Sequence, residues 1–435
     1  MTACAIESAA ENGTRAGCVI SADGSYAARL ASRGDSLFPE RWTLDGPEPY
    51  AVPLPGKQPE EPGTEVQPMA DGRVLIHRVP DGRHTFSLLY PTGPGTGEVP
   101  LGAVECRDGT TELRLLPPAP GGLRAYAVAV GRSSTTVWLV AGGPFGPERL
   151  AEVPGRCSGG VWLSGGDRLL ALDRELGGRT KTVVVDLERD GEVSPLLQIA
   201  ERSNDRLLLA DADSGLLLIR SDAPSPGQDR LGWGVLGSTL PVRFPDSLRL
   251  ADHTVTPFAI QPGQMLTPEY CLVALRIAGG GGGGGSWLGM WRPVDRWIHQ
   301  LPAPEGWLTG SGLWTKDGVL RLPYATETLP CGVSRVAAPA EAVEAVDEVS
   351  LITHSAEYAE YPEPSDFPDF PDSSGPVAPM EELAEPDDEL ASSSRPVPLQ
   401  QAPFTVRKLS SAFAGRRLAQ AARAGRAAAE EVTVE

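Results

Sequence analysis

"GGVWLSGGDRLLALDRELGGRTKTVVVDLERDGEVSPLLQIA", residues 159 to 200, holds four short apolar runs divided by turn residues. Val161 to Leu163 leads into the Gly165-Gly166 turn, and Leu169 to Asp173, Thr182 to Leu187 and Val193 to Ile199 follow as successive strands. The stretch predicts a four-stranded antiparallel meander. A single sheet of this kind cannot bury both of its faces, so the chain must supply it with neighbours.

It does so by repetition. Asp23-Gly24, Asp71-Gly72, Gly121-Gly122, Gly165-Gly166, Ser214-Gly215, Pro262-Gly263 and Asp317-Gly318 recur in the same setting, each between short apolar runs. The gaps are 48, 50, 44, 49, 48 and 55 residues, and the last returns to 48 once the run Gly279 to Gly285 is removed. A period of 40 to 50 residues with strands throughout is the signature of propeller blades. Seven signals imply an all-β, seven-bladed β-propeller over residues 1 to 338, with six or eight blades as the alternatives. The last blade offers strands near 311 to 314, 318 to 324 and 331 to 336. "TACAI" at 2 to 6 is the expected fourth strand, ahead of the first blade's inner strand at 17 to 21.

The motifs resemble the WD40-like repeats of TolB-type and prolyl-oligopeptidase-type bacterial propellers. Trp162, Gly166 and Leu169 fill the first half of such a repeat, Val184-Val185-Asp186-Leu187 the middle and Gly191-Glu192 the end, while "LWTKDGVLRL" (313 to 322) and "MADGRVLIHR" (69 to 78) echo the first half. The resemblance implies a fold and no particular activity. Relatives of the peptidase type carry catalysis on an α/β-hydrolase domain, and nothing after residue 338 has the composition of one.

Within this frame of strands, several apparent chemical motifs lack the context their chemistry needs. "LGWGVLG" (231 to 237) has the glycine spacing of a dinucleotide fingerprint, but Pro241 and Pro245 deny the helix that must follow, so it reads as the third strand of the fifth blade. "GRCSG" (155 to 159) has the spacing of a nucleophile elbow around Cys157 and reads as a turn, because the Gly159-Gly160 pair and a strand follow it. Asp211, Asp213 and Asp222 have calcium-loop spacing in part but sit among apolar strand residues, which makes an ordinary blade turn. His77 and His84 flank the "PDG" turn and form at most half a metal site. No cofactor or metal is expected, and no catalytic residue is identified.

The chain carries 50 Gly and 42 Pro in 435 residues, which suits short strands and turns. Its six cysteines lie far apart and suggest no disulfide framework. With no signal-peptide pattern and no long apolar span, a cytoplasmic protein without a transmembrane segment is expected. Of the net charge of −19, residues 339 to 404 hold −15 and residues 405 to 435 hold +3, leaving −7 on the propeller, which argues against nucleic acid as its partner.

Residues 339 to 404 read as a disordered acidic, Pro-rich linker in which Tyr358, Tyr361, Phe367 and Phe370 are spaced like a short recognition segment. Residues 405 to 435 read as an Ala/Arg-rich amphipathic helix with Lys408, Arg416, Arg423 and Arg426 in one stripe. Trp287, Trp291 and Trp297 follow the glycine run and suggest an aromatic contact patch beside a protruding loop. The function expected is a non-catalytic scaffold or regulatory module for protein–protein interaction, with an intramolecular contact of the tail on the propeller. The alternative is a lactonase, lyase or peptide-modifying enzyme with its site at the mouth of the axial channel.

Overall fold

The structure, a computed structural model, describes residues 17–34, 36–56, 58–106, 111–279 and 286–339. These residues form seven antiparallel sheets whose strand order follows the chain, so every sheet is a meander. Blade 1 is β1 (Val19–Ile20), β2 (Tyr26–Arg33), β3 (Ser36–Thr43) and β4 (Tyr50–Pro53); blade 2 is β5 (Glu65–Pro68), β6 (Val74–Arg78), β7 (His84–Pro91) and β8 (Thr96–Val104). Blade 3 is β9 (Glu112–Leu115), β10 (Ala125–Val130), β11 (Ser134–Ala141) and β12 (Glu148–Pro154); blade 4 is β13 (Arg156–Trp162), β14 (Leu169–Leu176), β15 (Arg179–Asp186) and β16 (Glu192–Pro195). Blade 5 is β17 (Asp205–Ala210), β18 (Leu216–Ser221) and β19 (Arg230–Val235), and blade 6 is β20 (His253–Ile260), β21 (Val273–Gly279), β22 (Trp287–Trp291) and β23 (His299–Pro302). Blade 7 is β24 (Leu313–Trp314), β25 (Val319–Tyr324) and β26 (Gly332–Ala337).

Burial falls from the inside of each sheet outward. The second strand of blade 3, "AYAVAV", is buried at every position, because it has a sheet on either side. No position of the outermost strands β4, β16 and β23 is buried. Each pair of neighbouring blades shares one apolar cluster. Leu54 packs with Val66 between blades 1 and 2, Phe86 with Leu113 between 2 and 3, and Tyr126 with Trp162 between 3 and 4. Val161 packs with Leu217 between blades 4 and 5, Leu218 with Trp291 between 5 and 6, and Met290 with Trp314 between 6 and 7. The seventh cluster joins Trp42 and Ile20 of blade 1 to Leu308 and Cys331 of blade 7 and closes the ring. Full burial of a large apolar side chain contributes about 1.5–3 kcal/mol, so these seven seams hold the blades upright against one another.

The closing seam is hydrogen-bonded as well. Ser311 Oγ donates to the Cys18 carbonyl at 2.6 Å and accepts the Cys18 N–H at 3.1 Å. Gly24, in the first turn of blade 1, has φ +77°, and a Cβ there would lie 2.3 Å from Leu313 Cδ2 of blade 7, so only glycine lets the two blades approach this closely. Arg321 Nη1 of blade 7 reaches Asp45 of blade 1 at 3.2 Å. The expectation that residues 2 to 6 add a fourth strand to blade 7 lies outside the described residues, as do the linker and helix expected over 340–435.

All seven turn signals lie between the first and second strands of their blades. "LGWGVLG" supplies β19, the third strand of blade 5, and a Cβ on Gly232 would come within 2.8 Å of the Arg243 carbonyl, so the glycine serves close backbone packing. One reading needs correction. "GRCSG" is strand, not turn: β13 begins at Arg156, and the register shifts between Ser158 and Val161. Gly159 and Gly160, at φ +71° and +138°, form this bulge, so the chain passes straight through a glycine pair that looks like a turn.

Replacing Ser311 by Ala removes both hydrogen bonds of the closing seam from a buried site. We expect a loss of about 1–3 kcal/mol in urea unfolding, and a loss below about 0.5 kcal/mol would show that apolar contact alone closes the ring.

Candidate functional site

The loops joining first to second and third to fourth strands fall on one face of the ring, here the turn face. The second-to-third hairpins and the crossovers between blades fall on the other, the entry face, where each first strand begins. The entry face gathers polar side chains from four successive blades. Glu65 opens β5 and lies opposite His77 on β6, and His84 opens β7 one hairpin later. Glu65 Oε2 is 2.9 Å from His77 Nδ1, and His77 Nε2 is 3.0 Å from His84 Nδ1. His77 is 1% exposed and stacks on Phe86 at 5.0 Å. With a neutral His77 imidazole, Nδ1–H donates to the Glu65 carboxylate and Nε2 accepts the Nδ1–H of His84. This leaves the Nε2 lone pair of His84 without a partner among the described residues. The two histidines therefore do meet across the hairpin, as a hydrogen-bonded relay.

The relay continues into blade 3, whose Leu115 N–H donates to Glu65 Oε2 at 3.0 Å. Arg114 Nη2 donates to the Gly159 carbonyl at the blade 4 bulge at 2.7 Å, and burial lowers the Arg114 pKa against the pull of Glu65 and Glu112. Asp173 accepts from Thr182 Oγ1 at 2.7 Å and from the Leu207 N–H of blade 5 at 3.0 Å, and burial pushes its pKa up to about 6. Arg206 of blade 5 reaches back to Ser158 Oγ at 3.0 Å. Polar groups of blades 2 to 5 are thus linked near the axis, with an acid, a base and two cations among them. Cys157, 4% exposed, is held above the ordinary thiol pKa by burial, which removes the thiolate that an elbow nucleophile would need.

A cleft of about 650 Å³ opens on the outer half of blade 2, lined by Glu60, Arg78, Thr85, Ser87 and Glu98 among others. Its size suits a small molecule. Its partly buried cation is already taken, because Arg78 forks onto Glu60 at 2.7 and 2.8 Å and reaches Glu98 at 3.0 Å.

The turn face is different in kind. Most large apolar side chains exposed among the described residues lie there, including Leu123 at 65%, Phe145 at 97%, Met265 at 68%, Leu266 at 91% and Trp297 at 55%. In blade 6 they sit on two loops, 261–272 and 292–298, tied by the Val294 N–H donating to the Glu269 carbonyl at 3.2 Å. Met265, Leu266, Tyr270, Val294 and Trp297 thereby share one end of the blade.

The three tryptophans read together from sequence are not brought together. Trp291 is fully buried in the seam with blade 5, which corrects its assignment to a contact surface. Trp287 and Trp297 are exposed at opposite ends of the β22–β23 pair, at least about 13 Å apart at 3.3 Å per residue. Lys408, Arg416, Arg423 and Arg426 lie outside the described residues. Asp211 accepts from Ser214 within a blade turn, and Asp222 binds Asn204 at the far end of β18, so no calcium loop forms there. The loop hydrophobics Met265, Leu266 and Val294 went unread because an apolar residue beside a turn signal looks like a strand end.

No protein-family model matches the chain, and no curated protein matches it. Solved structures similar to it include TolB from Agrobacterium tumefaciens, at 16% identity over 51% of this chain and 76% of that one, with a TM-score of 0.35. An oligogalacturonate lyase from Vibrio parahaemolyticus is similar at 11% identity over 76% of this chain and 93% of that one, with a TM-score of 0.46. Prolyl endopeptidases are similar at 14% identity over 74% of this chain and 46% of theirs, with a TM-score of 0.43. The likeness is one of propeller architecture, which the seven sheets and seven seams already establish.

Burial, reinforced by the His77 imidazole and opposed by Glu65, holds His84 below the ordinary histidine pKa. As pH falls below about 6.5 the unfolded chain takes up this proton first, so the contribution of His84 is full above that value and is lost toward its lower folded pKa. Asp173, raised to about 6, works in the opposite sense, with its cost growing as pH rises from 3.8 to that value. The comparison with His84→Gln isolates the histidine. Gln can donate to His77 but does not titrate, so its unfolding free energy should fall less than that of the parent between pH 6.5 and 5; parallel pH profiles would refute the relay.

Proposed function

We propose that the ring is a non-catalytic, cytoplasmic scaffold or regulatory module for protein–protein interaction, with residues 339 to 404 as its tether and 405 to 435 as a second contact point. The observation that carries this reading is the concentration of exposed apolar side chains on one face, with five of them sharing two linked loops of blade 6. Single exposed hydrophobics are ordinary, whereas five on two linked loops of one blade suit a surface that is covered part of the time. Trp297 and Tyr270 are the residue types that anchor such contacts.

The linked polar groups of the entry face support the alternative, an enzyme with its site at the axial mouth. Most of those groups satisfy one another across blade seams, which suits a structural network. His84 Nε2 is the group the network leaves over, and a substrate would have to be met there.

Substituting Leu266→Ser with Trp297→Ser changes exposed side chains only, so stability should stay within about 0.5 kcal/mol of the parent. In affinity capture with the full-length chain as bait, partners held by the parent should be lost from this double variant and kept by an opposite-face control, Leu176→Ser with Leu329→Ser. Equal retention by both variants would overturn the assignment of the turn face.

A further inference from the structure

Besides the His84 Nε2 acceptor, the entry face leaves over N–H donors, and they gather on blade 4. Its first strand, β13, pairs on one edge only, with β14, so the other edge faces the axis. Arg114 reaches the Gly159 carbonyl from blade 3 at 2.7 Å. Arg206 reaches Ser158 Oγ from blade 5 at 3.0 Å and Thr180 Oγ1 at 3.3 Å. Ser158 and Gly159 are consecutive, with Cα atoms about 3.8 Å apart, so the two guanidiniums hold one bulge from the two neighbouring blades. The bulge is a pair of glycines, Gly159 and Gly160, and puts no side chain between them. A third guanidinium stands close by. Arg174 of β14 lies opposite Cys157 in the register, and its Nε is buried without a hydrogen-bond partner among the described residues.

None of these three arginines has a carboxylate within salt-bridge distance among the described residues. Other half-buried arginines of the ring do. Arg29 sits on Glu40 at 2.8 Å, Arg78 on Glu60 at 2.7 Å and Arg321 on Asp45 at 3.2 Å. The carboxylates around Arg114 are engaged with other groups or turned to water: Glu65 holds His77 and the Leu115 N–H, Asp173 holds Thr182 and the Leu207 N–H, and Glu112 is exposed. Burial lowers the Arg114 pKa, so the fold withdraws this charge from water without seating a counter-charge beside it. Such a cation is costly unless an anion meets it. Donors are in surplus as well. Of the five N–H groups that a guanidinium carries, Arg114 spends one and Arg206 two. Their planar forks match the paired oxygens of a carboxylate or phosphate.

We propose that the β13 bulge is the floor of a binding site for a small doubly charged oxyanion, a phosphate monoester or a dicarboxylate, held by Arg114 and Arg206 with Arg174 adding to the field. The ligand enters from the axial mouth of the entry face and joins blades 3, 4 and 5. This site and the apolar loops of the turn face lie at opposite ends of the blades, so either assignment can fail without the other.

Isothermal titration of the full-length chain with inorganic phosphate, succinate and acetate at constant ionic strength tests the site. Phosphate or succinate should bind more tightly than acetate and raise the melting temperature, because a ligand joined to three blades favours the folded ring. Which of the two binds decides between a phosphate ester and a dicarboxylate. Arg114→Gln and Arg206→Gln should each weaken that binding roughly tenfold, the loss of one charge-assisted contact. Arg83→Gln, at the exposed hairpin of blade 2, should leave it unchanged. Arg206 bonds only hydroxyls, so its removal leaves every backbone hydrogen bond in place, and that variant carries the test should Arg114→Gln unfold. Absence of binding by both dianions, equal affinity for acetate, or an affinity indifferent to Arg206→Gln would overturn the proposal.

Discussion

The seam between the first and last blades is the contact on which the rest of the molecule depends. Six of the seven interfaces join sheets that are consecutive in the chain; the seventh joins residues nearly 300 positions apart, with Cys18 bound to Ser311. Without it blades 1 and 7 would each expose an apolar face, and the row of sheets would be open at both ends. With it, every sheet has two neighbours, and a run such as "AYAVAV" in β10 can be apolar on both sides. A non-local contact of this kind is entropically the most expensive to form, so it must be well made once formed. The close approach of Gly24 to Leu313, the apolar cluster around Trp42 and the Ser311 hydrogen bonds meet that need together.

Closure also sorts the surface. The faces of every blade are used up in seams, which leaves the two loop-bearing faces of the ring for contact with other molecules. On the entry face the polar groups are drawn inward and bind one another, from Glu65 and the histidines through Arg114 to Asp173 and Arg206. On the turn face the loops instead hold apolar side chains out to solvent, most densely on blade 6. The two faces therefore suit different tasks. The entry face ties neighbouring blades together through side-chain hydrogen bonds, and the turn face leaves its loop side chains exposed.

Much of the fold was legible because turns are local. Asp-Gly and Gly-Gly pairs need only their own backbone preferences to reverse the chain, and all seven marked the first hairpin of a blade. "LGWGVLG" could be assigned to a strand because two prolines forbid the alternative. What was not legible depended on contacts distant in sequence. Gly159 and Gly160 look like a turn until blade 3 presents Arg114 to the bulge and Asp173 fills the space beside it. Trp287, Trp291 and Trp297 look like one patch until strand direction puts one in the core and the other two at opposite ends of a hairpin. The meeting of His77 with His84 depended on a register that periodicity does not supply, and the apolar loops of blade 6 had no signal of their own.

Native-state amide hydrogen exchange across the closing seam tests the central claim that the blades form a ring closed by apolar and hydrogen-bonded contact between the first and the last. Amides of Val19, Ile20 and the β25 strand should exchange only through global unfolding, with the same opening free energy as amides of β14 in the middle of the chain. Exchange in blades 1 and 7 that is orders of magnitude faster than in blade 4 would mean that the seam opens on its own, and would contradict the closed ring.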